Sequence, residues 1–247
     1  MTQNEHALAE AGMREIAPGL SGYLALPAGE GPFPAVLVFI EAFGLNGHIQ
    51  DVCRRLAGAG IAALAPDIYH GDVYSYEDMD GAISRLRTLD DDQVMREAGQ
   101  ALDHLANLDA VDAGALGVMG FCMGGRFAFL AHQRFGERSR AAACFYGAGI
   151  APASDPFGRP ALLDHIKDMH GPVALYYGAQ DTSIHADEHG RIAEAFTTAH
   201  RDFLMRVFHN TGHGFFCDQR KSYKQSAAEE AWELTLGLFR RHLHDRP

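Results

Sequence analysis

Short apolar runs alternate along the chain with longer segments in which apolar residues recur every three or four positions. Runs of five to eight mostly apolar residues next to Gly, Pro or Asp are typical of buried strands. Segments with the longer period are typical of helices that bury one face. This pattern predicts strands at 34–41, 61–66, 115–119, 141–146, 173–177 and 203–208, and helices at 51–60, 91–108, 126–135, 184–199 and 222–243.

Strands that alternate with helices predict an α/β fold, here of the α/β-hydrolase type, with a mainly parallel sheet and helices on both faces. In such a sheet the functional loops gather at the carboxyl ends of the strands. A length of 247 residues suits one domain over 1–247. Residues 1–15 are polar and acidic, and a loosely ordered N-terminal segment is one interpretation of them.

Composition narrows the classes of partner and compartment. Hydrophobic residues make up 47% of the chain, enough for a sizeable core, and a net charge of -11 disfavours nucleic acid as a partner. No apolar run has the length of a membrane span, and no secretory signal is visible, so we expect no membrane partner and a cytoplasmic location. The four cysteines show no CxxC pair and are interpreted as free thiols. The oligomeric state, monomer or homodimer, stays open.

The strongest chemical signal is the sequence GFCMGG at 120–125, between a predicted strand and a predicted helix. A nucleophile on such a turn needs a tight backbone, which flanking glycines allow. The following helix aims N–H groups at the Cys122 sulfur and favours its thiolate. The N–H of Met123 is then free to bind a developing oxyanion. A buried structural cysteine in a glycine-rich turn is the alternative.

Two further residues fit a catalytic triad. Asp181 follows the strand 173–177, and His213 follows the strand 203–208. The order nucleophile, acid, base is that of α/β-hydrolases. His213 would take the thiol proton, and Asp181 would orient the imidazolium. Taken singly, Asp181 is equally well explained as a helix cap and His213 as a turn residue.

Five stretches together resemble the dienelactone hydrolase family, and they span most of the chain in the family's order. They are EAFGLN at 41–46, LAPDIYHG at 64–71, GFCMGGR at 120–126, YYGAQD at 176–181 and GHGF at 212–215. The resemblance implies that Glu41 accepts the proton of Cys122 when substrate arrives. It also implies an oxyanion hole formed by the backbone N–H groups of Met123 and Ala42.

The chain departs from the family at one position. Members carry an arginine four residues after the histidine, where it holds a substrate carboxylate, and here that position is Cys217. Without the arginine, we expect a more apolar wall and neutral substrates that compete well with anionic ones. Four other arginines remain as replacements, namely Arg85, Arg87, Arg126 and Arg220.

The predicted function is hydrolysis of a small-molecule ester or lactone through a Cys122 thioester, with no cofactor and no metal. The alternatives are a hydrolase of another activated carbonyl, such as a thioester or a diketone C–C bond, and a non-catalytic ligand-binding relative. The segment His185–His189 fits the zinc pattern HxxEH, although solvated helix residues explain it better. Residues predicted to contact substrate are Phe43, Tyr69, Arg85, Tyr146 and Phe215.

Overall fold

A computed structural model describes residues 8–244 and shows one sheet of eight strands. The strands lie side by side in the order β1-β2-β4-β3-β5-β6-β7-β8. β1 and β2 pair antiparallel, as do β2 and β4, and every other neighbouring pair is parallel. The strands are β1 Leu8–Ala17, β2 Leu20–Pro27, β3 Phe33–Phe39, β4 Ala62–Pro66, β5 Val111–Phe121, β6 Ser139–Phe145, β7 Val173–Gly178 and β8 Phe203–Phe208.

Helices cover both faces of this sheet, as predicted. Successive residues of a strand point to opposite faces, and two glycines of β5 show what lies on each. A side chain at Gly117 would meet Phe239 of α6, whereas one at Gly120 would meet the backbone of α4. The helices are α1 Gly47–Gly58, α2 Met79–Arg87, α3 Asp91–Ala106, α4 Met123–Arg134, α5 Ala186–Thr198 and α6 Gln225–Phe239, with a 3-10 helix at Leu163–Asp168 and a π-helical turn at Arg240–His244.

Three elements were not predicted. β1 is largely exposed and rich in polar residues, and β2 contains glycine and serine, so neither shows a clear apolar period. α2 has nine residues and buries only Ala82 and Leu86. Residues 8–15 belong to β1 rather than to a loose segment, and the part of that expectation that concerns 1–7 lies outside the described residues. None of the helices in residues 8–244 has the length and apolar character that a membrane crossing requires.

Two helices begin earlier than predicted, because their first turns contain glycines. α1 begins at Gly47, where the Asn46 side chain accepts a hydrogen bond from the N–H of Ile49 at 3.2 Å. α4 begins at Met123, directly after Cys122. The first turn of α4 therefore lies against the carboxyl end of β5, the position from which a helix can act on a residue at the strand end.

A buried ion pair fixes α4 against α3. The Arg126 side chain is fully buried, and its Nη1 donates to Asp91 Oδ2 at 2.7 Å. Its Nε and Nη2 donate to the carbonyls of Gly149 and Pro160 at 3.0 Å each. Arg159 Nε approaches the other oxygen of Asp91 at 3.5 Å. One carboxylate thus lies between two guanidinium groups beneath the carboxyl end of the sheet.

We predict that Asp91→Asn lowers the free energy of unfolding by about 3 kcal/mol, because it leaves the buried Arg126 without a counter-charge. The matched control is Asp92→Asn. Asp92 also lies in the first turn of α3 and forms an ion pair with Arg134 of α4 at 3.0 Å, but both side chains of this pair are exposed. The control should cost about 0–1 kcal/mol. Equal losses in urea denaturation would contradict this account.

Candidate active site

Cys122 occupies a sharp turn between β5 and α4. Its φ of 56° and ψ of -122° lie in a region that non-glycine residues rarely adopt. The turn fits only because its neighbours lack side chains. A Cβ at Gly120 would lie 2.0 Å from the Gly124 carbonyl, and a Cβ at Gly124 would lie 2.3 Å from that of Ile40. The glycines thus allow strand, turn and helix to pack in backbone contact, as the sequence predicted.

The turn places Cys122 at the N-terminus of a twelve-residue helix. The partial positive charge of a helix N-terminus stabilises negative charge that develops beside it. The Met123 N–H lies in the first turn, where helix N–H groups have no acceptor within the helix. Cys122, Met123 and Ala42 line the same cavity, as an oxyanion hole beside the sulfur would require.

Asp181 and His213 come together from two loops at the same edge of the sheet. Asp181 follows β7 and His213 follows β8, and the Gln180 N–H donates to the Thr211 carbonyl at 2.8 Å, which ties the two loops together. His213 Nδ1 and Asp181 Oδ2 lie 2.7 Å apart. The second oxygen of Asp181 accepts from the Ser183 N–H at 2.8 Å. The acid is therefore anchored on one side and bonded to the imidazole on the other.

The protonation of His213 reflects both neighbours. Burial by itself lowers its pKa, but the charge of the Cys122 sulfur, hydrogen bonds to Asp181 and Cys122 and the Asp181 charge raise the pKa to about 10. Burial by itself raises the pKa of Asp181, and the hydrogen bond and charge of His213 bring it below its usual value. The His213 imidazole is therefore protonated at neutral pH and carries a positive charge beside the Asp181 carboxylate.

Glu41 is a buried carboxylate at the wall of the cavity, with 1% of its surface exposed. Its Oε1 accepts a hydrogen bond from the Tyr146 hydroxyl at 3.0 Å and lies 3.5 Å from Arg220 Nη1. Its Oε2 has no hydrogen-bond partner within residues 8–244. Burial and the charge of Glu41 keep the pKa of Tyr146 well above its usual value, so this hydroxyl stays a donor.

Arg220 lines the cavity, whereas Cys217 lies behind its wall. Cys217 is fully buried, and its sulfur lies 3.2 Å from the Tyr76 hydroxyl. Burial raises the pKa of this thiol to about 11. Arg220 lines the cavity, with its guanidinium 5.2 Å from the centre of the Phe43 ring. Of the four arginines considered as replacements, Arg220 is the one that lines the cavity, so the wall expected to be more apolar carries a cation.

Comparisons with known proteins decide the family. The profile of the dienelactone hydrolase family matches residues 20–243. The chain belongs to the dienelactone hydrolase family. A Yersinia pestis protein provisionally named carboxymethylenebutenolidase is 34% identical over 227 residues, which cover 90% of this chain and 84% of that protein. A Bradyrhizobium protein provisionally named 2-oxo-3-(5-oxofuran-2-ylidene)propanoate lactonase is 31% identical and covers 90% of this chain and 89% of its own length.

A solved structure supports the same assignment. The crystal structure of a Klebsiella pneumoniae protein provisionally named dienelactone hydrolase superposes with a TM-score of 0.87 at 31% identity. It covers 96% of this chain and 100% of its own chain. The motif-based resemblance and the α/β-hydrolase fold are thus confirmed, and this dienelactone hydrolase relative is a hydrolase of the esterase and lactonase type.

The cavity of this family member has a volume of about 730 Å³. Of the residues predicted to contact substrate, only Phe43 lines it. The Tyr69 hydroxyl donates to the Ala42 carbonyl at 3.1 Å, and Arg85 donates to the Tyr69 carbonyl at 3.0 Å. Tyr146 bonds Glu41 from behind, and Phe215 packs on Tyr146 with ring centres 5.2 Å apart. These four residues support the wall instead of forming it.

Much of the cavity wall was missed by the sequence analysis. α2 contributes three apolar side chains, and the loop 152–157 covers the opposite side. α2 has only nine residues and the loop has no periodic pattern, so only tertiary packing shows that both face the site. Gly214 is a sequence signal for the position of Arg220, because a Cβ at Gly214 would lie 2.2 Å from Arg220 Nη1 and would leave no room for that guanidinium. The lining side chains of α2 are Met79, Ile83 and Leu86.

The side chains of the HxxEH segment make structural contacts beside the cavity. Glu188 Oε1 accepts from the Ala151 N–H at 3.0 Å, and the His189 ring stacks on Tyr177 at 4.3 Å. His185 lies at the start of α5. The three residues are not among those that converge on a possible metal position in the described part of the chain.

The raised pKa of His213 predicts a loss of stability at high pH. A group whose pKa is higher in the folded state stabilises the fold fully below its unfolded value, about 6.5, and loses this contribution as pH rises towards 10. The difference in unfolding free energy between wild type and His213→Gln should fall by at least about 1.4 kcal/mol, one pKa unit, from pH 6 to pH 10. A difference independent of pH in urea denaturation would contradict the imidazolium.

Proposed function

We propose that this hydrolase cleaves a small ester or lactone by acyl transfer to Cys122, with His213 and Asp181 as its catalytic partners. The observation that carries the proposal is the line Asp181–His213–Cys122, in which Asp181 Oδ2 lies 2.7 Å from His213 Nδ1, and His213 and Cys122 line the same cavity. Such a line combines a nucleophile, its base and the group that orients the base.

In the first half of the reaction, Glu41 holds the proton of the Cys122 thiol, and the sulfur attacks the carbonyl carbon while His213 carries a proton of its own. The carbonyl oxygen becomes an oxyanion, which the N–H groups of Met123 and Ala42 bind. Collapse of this intermediate breaks the ester C–O bond, and His213 protonates the leaving alkoxide. In the second half, His213 takes a proton from water, and the hydroxide cleaves the Cys122 thioester to release the acid.

Glu41 has a separate role in this scheme. It lines the cavity with Cys122, and its Oε2 is free of hydrogen bonds within the described residues. A carboxylate oxygen that no donor occupies has lone pairs free to accept a proton. We infer that substrate binding draws Arg220 from Glu41, which then accepts the Cys122 proton. The 3.5 Å separation in the pair is consistent with a contact that can open.

The cation at the cavity favours a substrate with an anionic group. Arg220 and Arg191 both line the cavity, but Arg191 already donates to Asp187 at 2.6 Å and to the Ala151 carbonyl at 2.8 Å. Within residues 8–244, the one ion pair of Arg220 is the longer contact with Glu41, so Arg220 is the better donor to an incoming carboxylate. The name of the Bradyrhizobium relative also describes a lactone that carries a propanoate group.

Cys122→Ala should lower kcat/KM for p-nitrophenyl acetate by at least about 10³-fold, as loss of a triad nucleophile does. Cys217→Ser is the matched control, because it removes a thiol near the same cavity and should keep activity within about tenfold. Full activity of Cys122→Ala, with loss in the control, would overturn the assignment. A wild type that binds esters without turnover would instead indicate a non-catalytic relative.

Arg220→Met should lower kcat/KM for an anionic lactone about 10- to 100-fold, since a charge-assisted hydrogen bond contributes roughly 1.5–3 kcal/mol. The neutral methyl ester of the same lactone should lose much less, which separates carboxylate binding from effects on Glu41. Arg191→Met, which removes the other arginine of the cavity, should not discriminate between the two substrates. If the two substrates suffered equally in Arg220→Met, the proposed carboxylate site would be wrong.

A further inference from the structure

Three side chains of metal-binding type converge behind the cavity wall. Glu41 follows β3, His48 lies in the first turn of α1, and Cys217 lies in the loop after His213. One possible ligand atom from each lies within 4.8 Å of the other two. All three are buried, with 1%, 3% and 0% of their surfaces exposed. No other group of three or more such residues converges in this way between residues 8 and 244.

A second observation shows that the cluster is incompletely bonded. Glu41 Oε2 and His48 Nε2 are both buried, and neither has a hydrogen-bond partner within the described chain. A buried polar atom without a partner costs roughly 1–3 kcal/mol. The His48 ring lies edge-on to Phe121 and Phe216, so apolar groups surround it. In the tautomer in which His48 Nε2 is the acceptor, a cation between it and Glu41 Oε2 would satisfy both atoms.

We propose that Glu41, His48 and Cys217 form a binding site for a zinc ion. Thiolate, imidazole and carboxylate together are a ligand set that zinc prefers, whereas magnesium and calcium prefer oxygen ligands alone. Around one tetrahedral zinc ion the ligand atoms lie roughly 3.5 Å apart, so a small contraction of the cluster suffices. Zinc displaces the Cys217 thiol proton, which leaves to solvent, and no electron is transferred.

Zinc at this position would inhibit the enzyme. This consequence rests on the proposed function, in which Glu41 accepts the proton of Cys122. A carboxylate that binds zinc through Oε2 is a much poorer proton acceptor. Zinc would also compete with Arg220 for the charge of Glu41, because Arg220 lies on the other oxygen at 3.5 Å. Zinc bound at this site would therefore inhibit turnover and would not take part in catalysis.

The binding test uses the reduced full chain after removal of metal with a chelator. Zinc chloride is titrated in competition with a chromophoric zinc indicator, and wild type should bind one equivalent with a dissociation constant of micromolar or below. Cys217→Ser and His48→Gln should each bind at least about tenfold more weakly, since even loss of an outer partner costs about 10–100-fold. Thermal denaturation checks that both variants are folded.

Cys122→Ala is the matched control, because zinc can also bind the pair of Cys122 and His213. This variant should keep the zinc affinity of wild type. X-ray absorption of its zinc complex should show one sulfur at ~2.3 Å, a result that does not depend on any variant of the cluster. Binding that disappears in Cys122→Ala but survives in Cys217→Ser, or a spectrum with nitrogen and oxygen alone, would overturn the site.

Inhibition is measured separately from binding. In wild type, p-nitrophenyl acetate hydrolysis should be half-inhibited at the zinc concentration that half-fills the site. Cys217→Ser should keep its basal turnover and require at least about tenfold more zinc for the same inhibition. Tight binding at the cluster without inhibition would support the metal site and contradict the proposed role of Glu41, so the two failures are distinguishable.

Discussion

The active site depends on backbone-to-backbone packing around Cys122. A left-handed conformation at a non-glycine residue costs about 1–3 kcal/mol and persists only where the surroundings determine it. Here the carbonyls of Ile40 and Gly124 lie where the side chains of Gly124 and Gly120 would otherwise be. This contact brings β3, β5 and α4 together. The strained turn, the helix N-terminus behind the sulfur and the oxyanion donors are consequences of the same contact.

Each charged group in the site contacts a small number of specific partners. Asp181 and the Cys122 sulfur lie on either side of His213, and Tyr146 and Arg220 hold Glu41. Beneath them, Asp91 neutralises the buried Arg126. Each carboxylate thus has a specific cation or hydroxyl, so the stability of the loops and the protonation of the site are governed by the same contacts.

Much of the fold was predictable because its central strands and helices are buried in a regular pattern. β8 has its predicted bounds, and the motif around Cys122 indicated the turn because each glycine there is required by a contact. β1, β2 and α2 were less readable, since β1 is exposed, β2 mixes glycine and serine with its apolar residues and α2 is short. The environment of Cys217 was not predictable, because the turn after it directs Arg220 into the cavity and leaves Cys217 buried behind the wall. Spacing along the chain cannot show which of two neighbours a turn directs into a cavity.

The central claim is that the acyl group resides on Cys122 during turnover. The direct measurement is rapid acid quench of the enzyme with p-nitrophenyl acetate, followed by proteolysis and mass spectrometry of the peptides. The account predicts an acetyl group on the peptide that contains Cys122, at a level that rises in a burst before steady-state hydrolysis. It also predicts that the acetyl group, once formed, stays on Cys122 longer in His213→Ala than in wild type, because His213 activates the water that removes it. An acetyl group on another residue, with Cys122 unmodified throughout the burst, would contradict the account.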